Sequence, residues 1–232
     1  MIRVSGLEPC SAIGRTFGGI EPRIHHTVTQ SPEETRPLAV AILSGGESRR
    51  MGWPKALLPY RGKTFITQLL EVTRHPRIGV TRIVLGAHAE EIGRVLRDSA
   101  KDIIVNGEWE KGQLSSIQAA IRSLPAESTS GLLLCPVDHP VISPSLIAKL
   151  IEAFDASGKS IALPMFHEKR GHPVIFRATR YNELLAASPD LGAREVVWAH
   201  ADDIAIVPTE EEGVILNINE PETLRRVQAE TN

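Results

Sequence analysis

From Leu38 onward the apolar residues follow two alternating rhythms, short unbroken runs and stretches with apolar positions three and four apart. Leu38-Ala-Val-Ala-Ile-Leu43 is the first run. It stops at Ser44-Gly45-Gly46, which predicts a buried strand ending in a turn. Thr64 to Thr73 predicts a helix with Phe65, Ile66, Leu69, Leu70 and Val72 on its apolar face, and Thr64 as its cap. Arg82 to Gly86 predicts a strand, Glu90 to Arg97 a helix, Asp102 to Val105 a strand and Leu114 to Leu124 a helix. Gly131-Leu-Leu-Leu-Cys135 is the most hydrophobic run and is expected at the centre of the sheet. Ser143 is expected to cap a helix reaching about Phe154. Ile161 to Leu163, Pro173 to Phe176, Ile204 to Val207 and Val214 to Ile218 predict further strands. Helices are expected over Tyr181 to Ala187 and Ala193 to His200, and a last one opens at Pro221.

Strand and helix in alternation predict the α/β class, with a mostly parallel sheet between two helical layers. In such sheets ligands bind beyond the carboxyl ends of the strands, so the loops after Leu43, Cys135, Phe166 and Ile218 are where chemistry is expected. Met1 to Pro37 lacks either rhythm and is read as a flexible or loosely docked extension. The domain proper is expected over residues 38–232.

Composition changes this picture little. The chain is 42% hydrophobic and 23% charged, with a net charge of −2, so no global field favours nucleic acid or membrane, and neither is an expected partner. An anionic ligand must therefore be met by a local cluster of cations. No apolar run nears the roughly 20 residues that span a bilayer, and the N-terminus lacks the pattern of a signal peptide. A cytoplasmic location is the expectation. Cys10 and Cys135 form no metal or redox motif, which suits a reducing compartment.

The first of the four loops is rich in candidate chemistry. Gly45 and Gly46 permit positive φ and close backbone approach, so that amides can point at phosphate oxygens. Arg49, Arg50 and Lys55 add cations within a few residues, matched to a triphosphate. The segment is not the dinucleotide fingerprint, and Gly62-Lys63-Thr64 is not a P-loop, because Leu57 stands where its first glycine is needed. Asp138, in Pro136-Val-Asp-His-Pro140, is a carboxylate at a strand end that can hold Mg2+. Asn219 offers a neutral oxygen that can complete such a site. Ser115 and Ser116 are either helix caps or contacts to a base or ribose. His167 and His172 are one residue too far apart for the zinc motif, and Gly171 interrupts any helix between them.

The string from Leu43 to Lys55 resembles the signature loop of the MobA/MocA-like nucleotidyltransferases, and the likeness extends from about Leu38 to the C-terminus. The resemblance implies a Rossmann-like fold and transfer of a nucleotidyl group from an NTP to a small phosphorylated acceptor, the molybdenum cofactor being the expected one. It implies that Leu43, Ser44, Gly45, Gly46, Arg50, Lys55 and Ser116 bind the nucleotide, with Arg50, Lys55 and Asp138 serving catalysis. It further implies that Asp138 and Asn219 hold Mg2+, and that Gly171 and His172 meet the acceptor. Gly112-Gln-Leu-Ser-Ser116, Gly171-His172-Pro173 and Asp190-Leu-Gly-Ala-Arg194 are similar to the cytidylyltransferases of the family. Ser44-Gly45-Gly46 and Asn217-Ile-Asn219 lean toward its guanylyltransferases. CTP is the expected donor, with GTP the alternative. Other phosphorylated acceptors, sugar phosphates among them, share the same machinery. So does an NTP-binding accessory protein without turnover, for which a molybdenum enzyme is the expected partner.

Overall fold

The computed structural model describes residues 36–97 and 102–229. The readings placed on residues 1–35, Cys10 among them, lie outside the described residues. Strand β1 (Leu38–Ser44) leads, by way of short 3-10 turns and the hairpin of β2 (Pro59–Tyr60) and β3 (Lys63–Thr64), into α1 (Phe65–Val72). Next come β4 (Ile78–Leu85), α2 (Ala89–Val95), β5 (Ile103–Val105), α3 (Gln113–Arg122), β6 (Gly131–Pro136) and α4 (Pro144–Ser157). The remainder is β7 (Ile161–Phe166), β8 (Lys169–Arg170), β9 (Val174–Arg177), α5 (Tyr181–Ala186), α6 (Arg194–Ala199), β10 (Ile204–Pro208) and α7 (Pro221–Ala229).

The main sheet runs β10-β7-β9-β6-β1-β4-β5, with β8 paired to β7. It is parallel except at β8 and β9. His167 and Glu168, with φ of 43° and 64°, turn the chain sharply after β7, and β9 then returns antiparallel between β6 and β7.

Alternation along β1 explains the layers. Leu38, Val40 and Ile42 belong to a core with Phe65, Ile66 and Leu69 of α1 and Leu146, Ile147 and Leu150 of α4. Ala39, Ala41 and Leu43 face the opposite core, with Ile117 and Ala120 of α3, Leu184 of α5 and Val196 of α6. Both faces of β1 and β6 are buried throughout, which is why their sequences read as unbroken apolar runs. Each fully buried Leu, Ile or Phe in these cores contributes about 1.5–3 kcal/mol relative to exposure. Local signals agree with the packing. Thr64 and Thr67 form a reciprocal capping box on α1, and Ser143 caps α4 by accepting from the Leu146 amide at 3.1 Å.

The strand expected over Val214 to Ile218 does not form. A 3-10 turn (Glu212–Val214) precedes a stretch with no ladder partner. Val214 and Ile218 are apolar because both are fully buried. Their backbones, however, bond loops rather than a strand: Val214 O accepts from the His172 amide at 2.8 Å, and the Ile218 amide donates to Asp138 O at 2.9 Å. A Cβ on Gly213 would stand 1.5 Å from Val141 O, so only glycine lets this segment cross the loop after β6. The crossing carries Asn219 to Asp138.

Candidate active site

The carboxyl ends of β1 and β6 lie side by side, and the Val137 amide continues their pairing by donating to Leu43 O at 3.0 Å. The two loops that leave them form the walls of a cleft of about 220 Å3. Leu43, Ser44, Gly45, Gly46, Lys55 and Asp138 all line it, and Ser116 reaches it from α3.

Of the two properties expected of the glycines, the positive φ needs correction. Neither Gly45 nor Gly46 has a left-handed backbone; in this loop that conformation belongs to Ser48 (φ 56°) and Gly52 (φ 65°). Gly45 is glycine because of close packing. A Cβ there would stand 2.7 Å from Ser116 Oγ, and a Cβ on Gly86 would stand 2.2 Å from Gly45 O. The loop is thus wedged between α3 and the end of β4. The Gly86 and Ala87 amides donate to Ser44 O and Gly45 O, both at 3.2 Å. Ser48 uses its strained backbone to point its hydroxyl at the Lys55 amide, 3.1 Å away, which pins the start of the lysine segment.

Lys55, Asp138 and Asn219 converge from three distant segments. Lys55 Nζ donates a hydrogen bond to Asn219 Oδ1 and lies 3.6 Å from Asp138 Oδ2. Burial holds the Lys55 ammonium below the ordinary lysine value; Asp138 opposes the shift and Arg50 adds to it. Its charge is therefore poorly hydrated and available to a phosphate. Arg50 is placed differently from Lys55. It is exposed, pairs with Glu220 at 3.4 Å and is not among the residues lining the cleft.

A second cleft, of about 500 Å3, adjoins the first and shares Leu43, Gln113 and Pro136 with it. Gly171 and His172 line it. The His172 ring packs against His139, with centroids 4.9 Å apart, and His139 Nε2 is 4.0 Å from Asp138 Oδ1. Burial, then the neighbouring His139, lowers the His172 pKa to about 4, with Asp138 opposing; burial likewise lowers that of His139. Both rings are held neutral at physiological pH, and the Nδ1 atom of each is buried without a hydrogen-bond partner. His167, at the far side of the turn, faces Glu210 at 3.8 Å and is not in this group.

Three contributors escaped the sequence. Asn106 donates from Nδ2 to the hydroxyls of Ser115 (2.9 Å) and Ser116 (3.2 Å), which fixes both serines. Its position just after β5 made it visible in principle as a strand-end polar residue. Trp109 lines the cleft and packs beside Gly45 and Gly86, with no sequence signal to mark it. Glu211 accepts from the Ser143 amide (2.9 Å) and hydroxyl (2.6 Å), tying the segment that leads to Asn219 onto the cap of α4.

Fold and site together define a nucleotidyltransferase. The family model for the MobA-like NTP transferase domain matches residues 40–204, and the chain belongs to that family. A molybdenum cofactor guanylyltransferase of Rhizobium meliloti (strain 1021) is 30% identical over 87% of this chain and 95% of its own length. The nicotine blue oxidoreductase of Paenarthrobacter nicotinovorans is 31% identical over 66% of this chain and 78% of its own length. Among solved structures, Rv0371c from Mycobacterium tuberculosis H37Rv superposes with a TM-score of 0.74 at 24% identity, covering 84% of this chain and 98% of that one. The same protein is also known as a complex with manganese. No helix among the described residues is long and apolar enough to cross a membrane.

Proposed function

We propose that this enzyme is a Mg2+-dependent nucleotidyltransferase that moves a nucleotidyl group from an NTP to the phosphate of the molybdenum cofactor and releases pyrophosphate. The observation that carries this reading is the meeting of Lys55, Asp138 and Asn219 beside the glycine loop, where the smaller cleft adjoins the larger one. The triphosphate lies along Ser44, Gly45 and Gly46, with Ser116 toward the nucleoside. The acceptor enters past Gly171 and His172.

A phosphomonoester has its second pKa near 6, so the acceptor is already an oxyanion at neutral pH and needs no strong base. Its oxygen forms a bond to the α-phosphorus while the bond from that phosphorus to the bridging oxygen breaks, and the electron pair leaves with pyrophosphate. The protein's task is alignment and charge neutralisation. Lys55 donates to the α-phosphate oxygens as charge builds there, and Arg50 is released from Glu220 to the departing pyrophosphate. Asp138 and Asn219 offer one carboxylate and one amide oxygen, a donor set that suits a hard divalent cation. Mg2+ held there would neutralise phosphate charge. The manganese complex of Rv0371c supports a divalent ion at this fold.

For the base, GTP is supported by the guanylyltransferase from Rhizobium meliloti and by Ser44-Gly45-Gly46 and Asn217-Ile218-Asn219. CTP, the expectation from the sequence, is supported by the segments Gly112 to Ser116, Gly171 to Pro173 and Asp190 to Arg194. Pyrophosphate release with molybdenum cofactor and Mg2+, run with GTP and with CTP, tests the proposal. Turnover with one base identifies the donor. Nucleotide binding with no release under either base would favour the non-catalytic accessory role instead.

A further inference from the structure

The larger cleft carries more cationic than anionic side chains in its lining. Its buried lining is apolar, with Leu43, Leu134, Leu163, Val174 and Phe176. Its exposed lining holds two guanidiniums, Arg170 at the end of β8 and Arg194 at the start of α6, against a single carboxylate, Asp190. The arginines that serve the fold nearby are all engaged. Arg177 donates to the carbonyls of Phe154 and Lys159, and Arg180 binds Glu183 and Asp203. Arg170 and Arg194 have no such ion pair among the described residues; Arg194 lies instead 6.0 Å from the centroid of the Trp198 ring. Trp198 and Leu191 add unusually exposed apolar surface to the same lining, 58% and 42% exposed. Two guanidiniums without an ion pair among the described residues, beside an open apolar wall, make a site for a ring-bearing anion.

We propose that Arg170 and Arg194 clamp an anionic group of the acceptor distinct from the phosphate that receives the nucleotide. The inference rests on the transfer reading above and deepens it. Gly171 and His172 set one end of this cleft against His139 and Asp138, where the reacting phosphate belongs. The guanidiniums lie toward solvent, so they meet a different part of the same molecule. The acceptor class is therefore a phosphorylated compound with a flat heteroaromatic body and a further anionic substituent. Asp190 would accept a ring N–H and disfavours ligands that are anionic over their whole surface.

The test has two arms on the full chain. In the first, R170Q and R194Q are compared with the unsubstituted enzyme for transfer to molybdenum cofactor. A charged hydrogen bond is worth enough that each change should raise the acceptor KM about tenfold or more. Nucleotide affinity and kcat at saturating acceptor should stay unchanged. In the second, phenylglyoxal labelling of the unsubstituted protein is mapped by mass spectrometry with and without pterin-6-carboxylate, a flat ring with a carboxylate and no transferable phosphate. Protection at Arg170 and Arg194 is expected. An unchanged acceptor KM, or labelling of both arginines unaffected by the probe, overturns the clamp. Absence of transfer by the unsubstituted enzyme would instead count against the proposed function, and the labelling arm would still decide the clamp.

Discussion

The ammonium of Lys55 hydrogen-bonds the side-chain oxygen of Asn219 across 164 residues of sequence, and the same ammonium stands 3.6 Å from Asp138. One protein cation thus joins the two oxygens that the proposed mechanism assigns to the metal. Lys55 and a divalent ion then compete for Asp138 and Asn219, and a metal-bound nucleotide offers the lysine its alternative partner, the α-phosphate. Burial of the ammonium favours that exchange, because a poorly hydrated charge loses little water on meeting a phosphate.

Lys55→Met should lower kcat by roughly a hundred- to a thousandfold, the usual effect of deleting one donor to a developing charge. Nucleotide Kd should change far less. Because the competing cation is gone, half-saturation by Mg2+ should fall. Steady-state assays over a Mg2+ series read all three quantities, and a rise in the Mg2+ requirement would contradict the competition.

Asp138→Asn keeps the shape of the loop after β6 and removes its charge. The side chain is 22% exposed, so the fold should tolerate the change. Turnover should drop about a thousandfold. Pyrophosphate release beside a thermal melt separates the two effects, and a collapsed melting temperature would assign Asp138 to structure.

How much of this was legible beforehand follows from the physics of each part. Strands buried on both faces, such as β1 and β6, are unmistakable because every position is apolar. The loop from Ser44 to Lys55 was equally visible, since its glycines and cations crowd into a dozen positions. Val214 to Ile218 misled because burial against loops leaves the same apolar trace as burial in a sheet. Gly45 lacks the positive φ that its place in the loop suggested. Sequence shows that a side chain is missing, but not whether the cause is backbone conformation or the neighbouring Ser116. The contact of Asn219 with Lys55 and the clamp of Glu211 on Ser143 depend on how distant segments cross, which local patterns do not encode.

That Glu211 clamp gives a third prediction. Glu211→Ala frees the cap of α4 and the segment leading to Asn219 together. Stability should fall by about 1–2 kcal/mol, the scale of a lost charged hydrogen bond at a cap. Turnover should fall as well, although Glu211 is not among the residues lining either cleft. Glu211→Gln, which keeps one acceptor for the Ser143 hydroxyl, should recover part of both. Denaturant melts and pyrophosphate release check the pairing of the two losses.

Gly86 and Gly46 should respond oppositely to alanine. A Cβ at Gly86 would sit 2.2 Å from Gly45 O and 2.6 Å from Trp109 Cβ, both parts of the cleft, so Gly86→Ala should cost about 1–3 kcal/mol and displace the loop. A Cβ at Gly46 meets nothing within 4 Å. Gly46→Ala should leave the melting temperature unchanged and weaken only nucleotide binding. Equal melting temperatures for both variants would rule out the wedge as the reason for glycine at position 86.

The His172 ring supplies a pH dependence with a definite sign. Its pKa is about 4 in the folded protein, against 6.5 for the free side chain. Between those values the unfolded chain binds the proton and the folded one does not, so stability rises with pH across that window. The contribution is fully present above about pH 6.5 and is lost as pH falls toward 4. Urea melts from pH 7 to pH 4 should therefore show falling stability, with a shallower fall for His172→Gln, which cannot take up the proton. Identical slopes for the two proteins would mean that the acid loss comes from other groups.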